Sequence, residues 1–284
     1  MKRLLPLLLT LLFLPACGSV NAADPEAAAP PPEEAGPAAI VLPKEEEEEA
    51  LLLPVRTVDP WRPMVALTFD DGPHGTYTGQ ILDILEEHNA VATFFEVASK
   101  LSKAPEAVQR AAAMGCEIGS HSYRHADLGK MSAEALQEDP ALADAAFTEV
   151  LGSAPTLLRP PYGSTGKILK TTSDRPLITW SIDPQDWKVR DAEKVMAHIQ
   201  GFDSLDGQVI LLHSTYDTTV EAVRALVPWL LEEGYQLVTV TELITLRFGD
   251  QVEPNRLYNF DYFRYQLPQP CFHSITSPAQ DKCR

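Results

Sequence analysis

Between about residue 64 and residue 248 the chain alternates between two hydrophobic rhythms. The first is a set of short apolar runs: MVALTFD (64–70), VATFFEV (91–97), CEIGSH (116–121), TLLRP (156–160), LITWSID (177–183), QVILLH (208–213) and YQLVTV (235–240). Runs of this kind, without strict alternation, are typical of strands buried on both faces. The second rhythm is helical. GQILDILEEHN (79–89) places apolar residues at 81, 82, 84 and 85, and PEAVQRAAAMG (105–115) opens on Pro and closes on Gly. The segment 132–152 is interrupted by Pro140. Asp139 and Pro140 look like a fresh cap and first-turn proline, which predicts two short helices. DAEKVMAHIQG (191–201) and TVEAVRALVPWLLEEG (219–234) complete the series, with a kink expected at Pro228.

Seven strands alternating with helices predict an α/β fold with parallel strands, a distorted (β/α) barrel in one catalytic domain. A doubly wound open sheet gives the same alternation. In both, the site lies at the carboxyl ends of the strands. The polar residues at those ends are Asp70 and Asp71, His121 with His125, Arg159, Asp183 with Asp186, and His213. Nearly every strand delivers an ionisable group to one rim, which a set of solvated loops does not require.

Composition adds boundaries. Residues 18–60 are rich in Ala, Pro and Glu with few large apolar groups, so they are expected to be a disordered linker. Before them, Lys2 and Arg3 precede LLPLLLTLLFLPA, an apolar run too short for a comfortable membrane span, so 1–17 is expected to be a signal peptide. Its end, LPAC at 14–17, resembles a bacterial lipobox in which Cys17 is lipidated. Cleavage near VNAA (20–23) is the competing reading. The folded domain is expected over 61–250, followed by an aromatic and Pro-rich tail at 251–284. The formal charge of −17 argues against nucleic acid as partner, since phosphate binding needs a basic face. Export permits disulfides, and Cys271 and Cys283 in the tail could close a small loop; Cys116 has the setting of a buried small side chain. No C-x-x-C occurs.

Candidate chemistry centres on TFDDGPHG (68–75) and HSYRH (121–125). Asp-Gly-Pro is good turn chemistry, and a solvated turn is the plain reading of 70–73 alone. His121 and His125, four apart, would face one side of a helical turn, a usual geometry for chelating one metal. Two imidazoles and one carboxylate leave positions open for water and substrate, as in a catalytic site. A second carboxylate could then accept a proton from water. Five motifs in order, TFDDGP (68–73), HSYRH (121–125), RPPYG (159–163), DPQDW (183–187) and ILLH (210–213), resemble the polysaccharide deacetylases of carbohydrate esterase family 4, the NodB homology domain. The resemblance covers roughly 62–248. It implies Asp70 as general base, and Asp71, His121 and His125 as ligands of one divalent metal. It implies Arg159 orienting Asp70, His213 as general acid held charged by Asp186, and the Tyr162 backbone N–H stabilising the oxyanion. Trp187 and Leu211 would line a small pocket for the acetyl methyl. Trp187 as simple core, and Arg159 and Asp186 as a purely structural ion pair, remain alternatives. The donors favour zinc, and cobalt, nickel and manganese fit them too.

The stretches SIDPQDW and DGQVILLHSTYDTTVEAV look most like peptidoglycan N-acetylglucosamine deacetylases, which implies a glycan strand beside the membrane as substrate, a lipid anchor as the only membrane contact, and an exported location. The rivals are deacetylases of chitooligosaccharide or exopolysaccharide, O-acetyl xylan esterases, a non-catalytic glycan-binding lipoprotein, and an envelope protein acting through its linker and tail.

Overall fold

The computed structural model describes residues 56–249 and 251–260. Along the chain come β1 (Met64–Asp70), α1 (Tyr77–Glu87), β2 (Thr93–Glu96), α2 (Pro105–Ala113), β3 (Glu117–Ser120), α3 (Ala133–Leu151), α4 (Lys167–Thr172) and β4 (Leu177–Ile178). Then follow α5 (Asp186–Val189), α6 (Ala192–Gln200), β5 (Val209–His213), α7 (Asp217–Glu232), β6 (Gln236–Leu237), α8 (Val240–Phe248) and β7 (Leu257–Tyr258).

All strand pairings are parallel. The order is β3-β2-β1-β5, with β6 on the first residues of β1 and β4 paired with β7. Single bridges continue the circuit, from Ser120 to Leu158, from Leu158 to Leu177, and from Ile182 to Ile210 in β5. Leu177 and Ile182 lie on one continuous segment, so these bridges flank the sheet beyond both β3 and β5. The barrel is distorted because these three links are single bridges rather than ladders.

Every residue of the central strand β1 is buried, and its two faces meet different partners. Val65, Leu67 and Phe69 pack outward with Ile81, Leu82 and Leu85 of α1 and Val220, Val223 and Leu226 of α7. Met64 and Ala66 join Phe95, Ile178, Val209 and Tyr258. The period of two carries Thr68 and Asp70 to this second face, so the strand that anchors the core also aims a carboxylate inward. Each large apolar side chain buried in this way contributes roughly 1.5–3 kcal/mol.

Four elements depart from the sequence-based expectation. α3 is one helix through Pro140. Its cap is Ser132, whose Oγ accepts from Ala135 N, while Asp139 Oδ1 accepts from Tyr123 N at 3.0 Å instead of capping. Burial anchors both halves: Leu136 packs with Leu128 and Leu158, and Ala143 and Phe147 pack with Leu101 and Val108. That burial offsets the roughly 3 kcal/mol cost of an interior proline. Residues 156–160 form no ladder; prolines flank them on both sides, and only Leu158 bridges. The run 235–240 is strand only at Gln236–Leu237, because Thr239 and Glu242 form a capping box that starts α8. Beyond 250, β7 pairs with β4, and Tyr258 and Phe260 are buried in the core, so packing extends into the segment read as tail. At the other end Arg56 ion-pairs with Glu242 and donates to the Leu237 carbonyl.

The signal-peptide, Cys17 and Cys271–Cys283 expectations lie outside the described residues. Among the described residues no helix is long and apolar enough to cross a membrane.

Candidate active site

Asp70 and Asp71 leave β1 with different surroundings. Asp70 is 2% exposed. The fully buried Arg159 donates from Nη1 to Asp70 Oδ1 at 2.8 Å and to Thr68 Oγ1 at 2.7 Å, and from Nη2 to the Thr179 carbonyl at 3.1 Å. Its guanidinium also lies over the Phe95 ring, 4.1 Å from the centroid. A buried cation held this way fixes one oxygen of Asp70 and leaves Oδ2 to face His121 Nε2 at 3.7 Å. Asp71 adopts a left-handed conformation, φ 69°, which turns the chain out of the sheet before Gly72. Lys100 Nζ donates to the Asp71 carbonyl at 2.8 Å, and Val97 N to the Gly72 carbonyl at 2.8 Å, so the turn is held from β2 and the residues after it.

The two histidines come from one turn after β3, rather than from a helical one. Ser122 and His125 have φ of 66° and 59°, and this tight path brings the imidazole centroids to 4.9 Å. His121 Nδ1 lies 2.7 Å from the Arg159 carbonyl. A carbonyl only accepts, so Nδ1 carries the proton and Nε2 presents its lone pair to the cleft. Burial pushes the His121 pKa down against the charges of Asp70 and Asp71, which favours the neutral ligand form. Asp71 Oδ1 stands 3.0 Å from His125 Nε2 and 3.5 Å from His121 Nε2. Burial raises the Asp71 carboxyl, but His125, His121 and His213 outweigh it and hold the pKa at about 2.

One atom tests whether a metal fits here. Asp71 Oδ1 is buried without a hydrogen-bond partner, although two imidazole nitrogens face it. One donor atom from each of Asp71, His121 and His125 lies within 4.8 Å of the others. One carboxylate and two imidazoles converging on one point suit a divalent cation.

On the opposite wall, His213 ends β5 as the register partner of Asp70. Its Nδ1 meets Asp186 Oδ1 at 2.8 Å, and its backbone N donates to Asp186 Oδ2 at 2.8 Å. Thr219 Oγ1 donates to the same Oδ2 at 2.7 Å. Burial pulls the His213 pKa down, but the hydrogen bond and charge of Asp186, with Asp70 and Asp71, raise it above the ordinary value. Between the walls lies a cleft of about 410 Å³, lined by the metal-site residues, Asp70, Tyr162, Trp180, Asp183, Trp187, Leu211, His213 and Tyr216. Trp187 is 45% exposed, so it lines the cleft and is not core. Leu211 is buried at its floor, and Tyr162, φ 62°, sets its ring edge-on to His125 at 4.8 Å. Asp183 braces its loop by accepting from Gln185 N at 2.8 Å.

The structure thus brings together every site residue the sequence singled out in the described part of the chain. The chain also matches the polysaccharide deacetylase family model over residues 57–175. It is 38% identical over 188 residues to the peptidoglycan-N-acetylmuramic acid deacetylase PdaC of Bacillus subtilis, a match covering 66% of this chain and 40% of that protein. It is 35% identical over 189 residues to a peptidoglycan-N-acetylglucosamine deacetylase of Bacillus cereus, covering 64% of this chain and 88% of that one. This chain belongs to the polysaccharide deacetylase family. A solved structure of T48 deacetylase with substrate superposes with a TM-score of 0.67 at 37% identity, covering 72% of this chain and all of that one. The chain spans about two fifths of the length of the Bacillus subtilis relative, so the likeness to that protein is a likeness of one polysaccharide deacetylase domain.

Sequence reasoning missed several residues that shape this deacetylase-family site. Lys100 holds the Asp71 carbonyl, Thr219 holds Asp186, and Trp180 and Tyr216 line the cleft. Glu96 was also passed over, although it ends its apolar strand just as Asp70 ends β1. The same signal, an acid closing a buried run, would have found it.

Proposed function

We propose that this protein is a metal-dependent N-deacetylase of a cell-envelope polysaccharide, acting on N-acetylglucosamine residues of peptidoglycan. The single observation that carries the reading is the buried, unpartnered Asp71 Oδ1 facing two imidazoles, on the rim that also holds Asp70 and His213. Asp71, His121 and His125 would hold the metal, and their donor set favours zinc. When bound, a divalent metal supplies Lewis acidity, polarising the acetamide carbonyl and lowering the pKa of a neighbouring water.

The remaining work belongs to the protein's own side chains. Asp70, with one oxygen fixed by Arg159, takes a proton from the attacking water through the other. The water oxygen forms a bond to the acetyl carbon, and the Tyr162 backbone N–H stabilises the resulting oxyanion. His213, held charged by Asp186, gives its proton to the sugar nitrogen as the C–N bond breaks. Acetate and a free amine result. Leu211 and Trp187 bound the space for the acetyl methyl. The reading of Arg159 and Asp186 as a structural ion pair with each other is disfavoured, since Arg159 pairs with Asp70 and Asp186 with His213.

The proposed place of action is outside the cytoplasm, on a lipid anchor at Cys17 followed by an acidic tether; this rests on the sequence of residues 1–60. N-acetylmuramic acid is the competing sugar, because a relative carries that substrate in its name. The test is acetate release from peptidoglycan and from N-acetylglucosamine oligomers, with chelator treatment and metal add-back. Metal-dependent release with new glucosamine in the digested glycan supports the reading. New muramic amine in its place moves the substrate to the other sugar. Release only from O-acetyl xylan, or none from any substrate, refutes it.

A further inference from the structure

The wall of the cleft beside His213 is built from two segments. One is α5, which carries Asp186 and Trp187; the other runs from His213 to Tyr216 and leads into α7. Asp186 joins them on the buried side, accepting from His213 N and Thr219 Oγ1. Trp187, 45% exposed, and the half-buried Tyr216 stand nearer solvent, and both line the cleft. α5 is four residues long, and the chain enters and leaves it through left-handed residues, Gln185 at φ 57° and Arg190 at φ 47°. A single turn with a sharp bend at each end has little stiffness of its own, so the exposed side of this wall needs a second joint.

Arg190 supplies one. Its Nε donates to the Trp187 carbonyl at 2.7 Å, and its guanidinium lies over the Tyr216 ring, with Cζ 3.3 Å from the centroid. The first contact orients the guanidinium on α5, and the second sets it against the face of Tyr216. The neighbouring acid Asp191 pairs with Lys194 at 2.9 Å. The backbone at 190 is one that glycine adopts most easily, and helices commonly end on a glycine there. An arginine in that conformation is disfavoured by its Cβ, and the two side-chain contacts offset the cost.

We propose that Arg190 is a positioning residue for glycan binding, which braces Tyr216 against the Trp187 turn and so sets the width of the cleft on the side of His213. Arg190 does not itself line the cleft; it acts through two residues that do. The inference rests on the deacetylase reading. The Asp186–His213 joint and the metal site do not depend on this contact, so losing the brace weakens the hold on the sugar and leaves the chemistry in place.

The test uses the purified full chain loaded with Zn²⁺ and steady-state acetate release from N-acetylglucosamine oligomers. Arg190→Gly removes the side chain and suits the left-handed backbone, so the variant folds. Its KM rises about five- to tenfold, while kcat and zinc affinity stay within about twofold of wild type. Arg190→Lys keeps the charge but has neither Nε–H nor a flat face, and it behaves like the glycine variant. In a Tyr216→Leu background, Arg190→Gly adds less than about twofold, because the brace has nothing left to hold. A wild-type KM in Arg190→Gly overturns the proposal, as does full recovery in Arg190→Lys, where charge alone would suffice. Equal losses in kcat and kcat/KM, or effects of the two substitutions that multiply, overturn it too. Hydrogen exchange over residues 213–219 reads the brace without substrate: it quickens in both Arg190 variants, and unchanged exchange refutes the brace. If wild type releases no acetate, the functional reading falls, while the exchange still decides the brace.

Discussion

Asp186→Asn isolates the charge behind His213 with little change of shape. Asp186 accepts from His213 N and Thr219 Oγ1 on Oδ2 and meets His213 Nδ1 with Oδ1. In the asparagine variant the carbonyl must take the Oδ2 position to keep the first two bonds. The amide nitrogen then faces Nδ1, and two donors oppose each other as long as the imidazole is charged. The ring must lose its Nδ1 proton, and with it the acid form. A buried hydrogen bond to a charged group is worth about 1.5–3 kcal/mol. Removed from the state that protonates the leaving amine, that corresponds to a kcat loss of roughly 10- to 150-fold. The pH dependence carries the sign. Burial alone lowers the His213 pKa, and Asp186 with Asp70 and Asp71 reverses this and raises it. The protonated acid therefore persists to higher pH in wild type than it does without Asp186. In Asp186→Asn the alkaline limb of kcat moves to lower pH, and the deficit widens as pH rises. Initial rates of acetate release on N-acetylglucosamine oligomers across about pH 5 to 9 measure this. An unmoved alkaline limb, or a deficit constant across the range, refutes the reasoning.

Three further outcomes follow from the same geometry. Asp71→Asn should weaken zinc binding well beyond the roughly 10–100-fold that losing a ligand's hydrogen-bond partner costs, whereas Asp70→Asn should keep the metal and lose turnover; metal content of the two purified variants exposes a swapped assignment. Arg159→Met leaves Asp70 buried without its cation and should cost about 3–5 kcal/mol in urea unfolding; a loss under about 1 kcal/mol would mean the pair contributes little to the fold. Pro140→Ala restores the N–H that an interior helix residue donates, so it should stabilise the protein by about 1–2 kcal/mol after the unfolded-state entropy is subtracted; destabilisation would show that the proline is needed where it sits.

Much of the site was legible because each of its residues closes an apolar run or follows one directly. Asp70 ends β1, His213 ends β5, and His121 follows β3, so the strand pattern and the polar rim are one signal. The less legible features are those where a local rule met a stronger tertiary one. Pro140 is a helix breaker by itself, but Leu136 on one side and Phe147 on the other are each buried in a separate cluster. Thr239-Val240-Thr241-Glu242 was a readable helix start, yet the β-branched run before it drew the strand reading past its true end. Residues 251–260 looked like tail because two strand residues, Leu257 and Tyr258, carry too little periodicity to stand out.

By itself the sequence determined the alternating α/β plan, the sharing of one face by β1's even positions, and the set of ionisable groups delivered to one rim, because alternate side chains of a strand lie on the same side. The tertiary structure decided everything that depends on residues distant in sequence meeting. It brought the Arg159 carbonyl to His121 Nδ1 and so assigned the nitrogen that faces the cleft. It placed Asp186 on His213 and turned an otherwise lowered pKa into a raised one. It also set Glu96 and Ser214 against the bare Cα of Gly72, three positions far apart in the chain. Periodicity sets which residues share a face; what they meet there depends on how strands and helices distant in the chain pack together.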